Sequence, residues 1–149
     1  MRHTKDVAIR ARDVDAATGM VAPGAIALYF EECRDEWLGV VGGDPDVALA
    51  YLIRRLDFAF LHDVDPAVGT VRVTIELDGL GTTSIRLRET LRAGRDDEVA
   101  ATNRSVLVHV NEDATAGVPL PDDVRARLGG LAPDSTARGP TAPPPPAGP

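Results

Sequence analysis

Apolar and polar residues alternate most regularly between Thr70 and Leu80, where Val71, Val73, Ile75 and Leu77 interleave with Arg72, Thr74, Glu76 and Asp78. A period of two puts the two sets on opposite faces of a β-strand, so this segment predicts a strand with one buried face. Shorter runs predict strands over Asp6–Val14, from Ala48 or Tyr51 to Phe58, over Ser84–Leu91 and over Val99–Val110. Gly79–Thr82 and Gly94–Asp97 read as the turns joining Thr70–Leu80, Ser84–Leu91 and Val99–Val110 in succession. Between Ala25 and about Val41 the period becomes helical: Ile26, Tyr29, Phe30, Cys33, Trp37 and Val40 share a face, with Glu31, Glu32, Arg34, Asp35 and Glu36 mostly on the other. Pro23 and Gly24 open this helix, and Gly42 and Gly43 end it. A short helix is expected over Asp122–Leu128. Strand, long helix and four further β segments predict an α+β layer structure in one domain, residues 1–129. Residues 130–149, ending Thr-Ala-Pro-Pro-Pro-Pro-Ala-Gly-Pro, lack apolar periodicity and are expected to form a disordered, Pro-rich tail.

Composition narrows the function classes. A chain of 149 residues with 44% hydrophobic content suits one domain with its own core. A formal charge of −7 argues against a nucleic-acid surface, which draws on clustered Lys and Arg. The single cysteine, Cys33, excludes an internal disulfide and fits a reducing compartment, and its position on the apolar helix face reads as packing. No apolar run approaches the roughly 20 residues of a membrane span, and no signal core follows Met1, so a cytoplasmic location is expected. His3, His62 and His109 are scattered without metal-ligand spacing, and no metal or other cofactor is expected.

The candidate chemistry gathers just ahead of the long helix. Asp15 lies at the end of a β-patterned run, close to a helix N-terminus whose first N–H groups have no intrahelical partner. Such N–H groups can polarise a carbonyl while a carboxylate attacks it or activates water. Asp is also common as a turn or cap residue with no catalytic role, and placement alone leaves both readings open. From Met20 to Ala25 the chain carries no polar side chain, so an oxyanion would have to be met by backbone donors. Pro23 has no N–H, which leaves Ala22, Gly24 or Ala25. Glu31 is the rival acid, eight residues beyond Pro23 and so about 12 Å further along a helix; its structural reading is an ion pair with Arg34 or a partly buried structural acid.

Asp13, Asp15, Gly19, Phe30, Glu31, Arg34, Trp37 and Leu38 together resemble the opening of hotdog-fold acyl-CoA thioesterases of the 4-hydroxybenzoyl-CoA thioesterase type. Those read Asp-x-Asp, a short turn with Gly, then a helix ending near Phe-Glu-x-x-Arg-x-x-Trp-Leu. The resemblance runs over nearly all of residues 5–128. It implies the hotdog fold, a curved antiparallel sheet wrapped around a long central helix. It also implies hydrolysis of an acyl thioester, on coenzyme A or a carrier protein, with Asp15 as nucleophile or general base and no cofactor. A related hotdog subgroup carries its acid on the helix, which keeps Glu31 in view. Met20, Ile26, Tyr29 and Phe58 are candidates for the acyl lining, and Arg86 and Arg104 for the coenzyme phosphates. The family pairs sheets and shares sites between chains, so a homodimer or homotetramer is expected. The same fold hosts non-hydrolytic thioester binders and product-release or dehydratase-type enzymes acting on polyketide-like chains, and these stay open. A dehydratase would be expected to carry a His in the catalytic turn, which is absent.

Overall fold

A computed structural model describes residues 2–43 and 50–129. The Pro-rich tail and the Ala48 alternative for the start of the second strand lie outside these residues. Five strands form one antiparallel, curved sheet: β1 (Arg2–Ala8), β2 (Tyr51–Phe60), β3 (Thr70–Leu80), β4 (Ser84–Ala93) and β5 (Glu98–His109). Their spatial order is β1-β3-β4-β5-β2. A long helix, α1 (Pro23–Gly42), crosses one face, and a short one, α2 (Asp122–Arg127), follows the last strand.

The alternation read from sequence decides which side chains meet the helix. Ile85, Leu87 and Leu91 of β4, Val71, Val73 and Ile75 of β3, and Ala101 and Leu107 of β5 point inward and are buried. From α1 they meet Ile26, Tyr29, Phe30, Cys33, Trp37 and Val41. Cys33 is inert packing: its thiol contacts the Val73 carbonyl at 3.8 Å, and burial pushes its pKa up to about 12. The outward row of β4, Arg86, Arg88, Thr90 and Arg92, lies on the far face.

Three expectations change. The first strand is Arg2–Ala8, not Asp6–Val14. Its partner β3 ends the ladder at Ala8 opposite Thr70, and beyond it the Arg10 N–H turns onto the Asp13 carboxylate at 2.9 Å, so residues 11–13 form a single 3₁₀ turn. Val40, placed on the apolar helix face by its spacing, is exposed, as is Leu28. Arg34, placed on the polar face, is buried at 3% exposure because its charge is met inside the sheet.

That partner is Glu89, an acid in the inward row of β4 with 0% exposure. Arg34 donates to it from Nε at 2.9 Å and from Nη2 at 3.2 Å. Asn103 Nδ2 and Ser105 Oγ of β5 donate to the same carboxylate at 2.8 and 2.7 Å. Four donors offset its desolvation and pin the middle of α1 to β4 and β5.

The helix leaves one flank of the sheet open. Among the described residues β2 pairs only with β5, and its inward row of Ile53, Leu56 and Phe60 is substantially exposed at 40%, 42% and 48%. No helix among the described residues is long and apolar enough to cross a membrane.

Candidate active site

The loop between the 3₁₀ turn and α1 is built like a short ladder. The Ala22 N–H donates to the Asp13 carbonyl at 2.8 Å, Val14 and Val21 form a bridge, and the Asp15 N–H donates to the Met20 carbonyl at 2.8 Å. At its tip the Gly19 N–H returns to the Asp15 carbonyl at 2.8 Å, a closure that needs the left-handed φ of +71° at Gly19. Outside the loop, the Val21 N–H is held by the Val64 carbonyl at 2.9 Å. Asp15 is therefore carried on a closed loop at the mouth of α1 and is half-buried.

One oxygen of Asp15 accepts the Ala17 N–H at 2.7 Å, an Asx turn, while the other makes no hydrogen bond among the described residues. The turn-forming reading is thus realised, and one oxygen is left for other work. The helix then begins with Ala22 as its N-cap and Pro23 at its first position. Of the backbone donors expected here, Ala22 drops out, because its N–H already serves the Asp13 carbonyl. The Ala25 N–H bonds back to the Ala22 carbonyl at 3.0 Å. Gly24 keeps an N–H without a partner among the described residues, the arrangement an anionic oxygen needs.

Sequence reasoning gives Asp13 no functional role, yet it organises this corner. It is buried at 6% exposure and accepts the Tyr29 hydroxyl at 2.6 Å as well as the Arg10 N–H. Burial pushes its carboxyl up, but the Tyr29 and Arg10 hydrogen bonds outweigh this and leave it below its ordinary 3.8. The same contact, after burial, raises the Tyr29 hydroxyl. The Arg10 guanidinium reaches on to Glu32 of α1 at 2.7 Å. The signal in the sequence is Tyr29 itself: a hydroxyl on the buried face of a helix needs a partner.

The other candidates separate. Tyr29 and Ile26 are buried within the core, so within one chain they are packing residues and line no open channel. Met20 is half-buried in the Asp15 loop. Phe58 is half-buried and bridges helix and open flank, with ring centroids 5.9 Å from Phe30 and 5.8 Å from Phe60. Glu31 is exposed and makes no hydrogen bond or ion pair among the described residues; Arg34, its expected partner, turns inward to Glu89 instead. Arg86 and Arg104 are not brought to Asp15. They line a shallow depression on the far face of the sheet, with Arg55, Asp57 and Asp78. Among the described residues no group of three His, Cys, Asp or Glu side chains is placed to hold a metal ion.

Solved structures share this architecture. A thioesterase of Thermus thermophilus, complexed with coenzyme A and zinc, is 25% identical to the chain with a TM-score of 0.76, over 85% of this chain and 96% of that one. The chain has the hotdog fold of the thioesterases. A 1,4-dihydroxy-2-naphthoyl-CoA thioesterase of Synechocystis shares this hotdog fold at 13% identity and a TM-score of 0.74, over 86% of this chain and 96% of that one. So does a Staphylococcus aureus protein solved with coenzyme A, at 15% identity and a TM-score of 0.75, over 86% and 82%. No protein-family model and no curated protein sequence matches this hotdog chain.

Proposed function

We propose that the protein hydrolyses an acyl thioester of the coenzyme A type, with Asp15 as the reacting carboxylate and the Gly24 N–H as an oxyanion donor. The observation carrying this reading is the pairing of a half-buried Asp15, one oxygen unengaged among the described residues, with an N–H equally unengaged at the start of α1. The similarity to the Thermus thioesterase complexed with coenzyme A supports the substrate class. In the general-base route Asp15 takes a proton from water as its oxygen attacks the thioester carbon. In the nucleophilic route Asp15 forms an acyl anhydride that water then opens. Both pass through an oxyanion that a backbone donor stabilises, and both release a carboxylic acid and a free thiol.

In this reading the site is completed by a second copy. β2 offers an edge unpaired among the described residues and an uncovered apolar row, Ile53, Leu56 and Phe60, continuous through Phe58 with the buried Phe30. Pairing of two chains along this edge covers both features and brings side chains of one protomer towards the loop of the other.

A non-hydrolytic thioester binder is the second reading, favoured by the absence of polar side chains from Met20 to Ala25. Incubating the protein with a panel of acyl-CoAs and a thiol reagent separates the two. Hydrolysis predicts catalytic release of free thiol from at least one acyl-CoA. Tight binding with no thiol above background across aliphatic and aromatic acyl groups overturns it.

A further inference from the structure

We infer that Asp13 and Tyr29 form a positioning pair that holds the Asp15 loop in register with the start of α1. The inference rests on Asp15 being the reacting carboxylate. Its motive is an arrangement that packing alone does not call for. Tyr29 is fully buried on a helix face otherwise lined by Phe30, Cys33 and Trp37, and Asp13 is a carboxylate buried beside it. Each would be costly alone. Together, at 2.6 Å, each satisfies the other, and the Arg10 N–H satisfies Asp13 further.

The geometry shows what this contact does. The main chain of Asp13 closes the base of the Asp15 loop through the Ala22 N–H, and its side chain ties that base to the second turn of α1. Ala22 is also the N-cap, one residue before Pro23 and two before Gly24. A single residue thus holds the strand of the loop that leads to Asp15 and the strand that leads to the Gly24 N–H. The rungs inside the loop, from Asp15 to Met20 and from Gly19 to Asp15, keep its shape but do not fix its angle to the helix. The Asp13–Tyr29 contact ties the loop to the side of α1, with Arg10 reaching Glu32 as a second strap, while the Val21 N–H on the Val64 carbonyl holds the loop from its other side. Asp13 is a positioning residue here: it acts through Asp15 and Gly24 and touches no substrate in this scheme. Misplacing reacting groups by about an ångström costs rate out of proportion to any loss of binding.

Tyr29→Phe tests this, since it keeps the ring and removes only the hydroxyl. Steady-state hydrolysis of the preferred acyl-CoA is measured beside amide hydrogen exchange at Ala22, in the intact chain. The pair predicts a kcat lower by about tenfold or more with KM within about twofold, and faster exchange at Ala22, while the Trp37 region keeps wild-type protection. A hydroxyl that merely fills the core would leave both kcat and Ala22 exchange unchanged, and that result overturns the inference. Asp15→Asn is run in parallel. If it retains wild-type turnover, the Asp15 assignment falls, and with it the catalytic half of this inference; unchanged Ala22 exchange in Tyr29→Phe overturns the pair whatever Asp15 does.

Discussion

Asp13 and Glu89 are both buried carboxylates, and they are stabilised differently. Asp13 meets a hydroxyl and a main-chain N–H; Glu89 meets a guanidinium, an amide and a hydroxyl. Because hydrogen bonds hold Asp13 below its ordinary 3.8, its ionised form contributes stability above that pH, and the contribution is lost as pH falls through its lower folded value. Asp13→Asn should therefore be less stable than wild type near neutrality, and the gap should narrow as urea melts are taken below pH 3.8. A gap that is constant or widens with acid contradicts this assignment. At the second site, Arg34→Met leaves Glu89 buried without its cation, which costs about 3–5 kcal/mol. The double variant Arg34→Met/Glu89→Leu should recover much of that in denaturant melts, and a double variant as unstable as the single would show that the pair is not the source. Both clusters are legible in part. Glu89 stands in an inward row with Ile85, Leu87 and Leu91, opposite inward Asn103 and Ser105, and Arg34 falls between Phe30 and Trp37 on the helix. A charge in an apolar row announces a buried partner, but period alone does not say which element supplies it.

Among the elements, β3, β4, β5 and α1 are legible because their apolar faces are long and their ends are marked by Gly or Pro. β1 is not, because its register is set by β3 and its edge position leaves His3 and Lys5 facing Glu36 of α1 at 3.0 and 2.8 Å. An edge strand that reaches past the core with polar residues does not alternate in hydropathy. The end of α1 is firmer: Gly43 adopts φ +70°, and the Arg127 guanidinium beside it donates to the Val41 carbonyl at 3.0 Å. Gly43→Ala should cost about 1 kcal/mol through the left-handed backbone, with turnover unchanged, since the loop of Asp15 lies at the other end of the helix. A thermal melt beside a rate measurement checks both parts, and a loss of rate without a loss of stability would contradict it. The candidate catalytic loop itself is legible as residue types and order, and not as hydrogen bonds. Whether Ala22 or Gly24 offers a free N–H depends on the Asp13 carbonyl, which no pattern of side chains reveals.

For the whole molecule, the open flank of β2 carries the expectation of a second copy. Leu56→Asp places a charge in the centre of that apolar row and should convert a sedimenting dimer to monomer, with activity falling in step. A wild-type chain that sediments as a monomer at full activity removes the shared site. The proposed hydrolysis turns on one carboxylate. Thiol release from the preferred acyl-CoA, measured for wild type, Asp15→Asn and Glu31→Gln, tests it most directly, because both substitutions keep size and remove only charge. Asp15→Asn should fold, bind acyl-CoA and lose about 10² or more in kcat, while Glu31→Gln loses much less. An Asp15→Asn protein that turns over at the wild-type rate would contradict the account and move the chemistry to Glu31 or to water held by backbone groups alone.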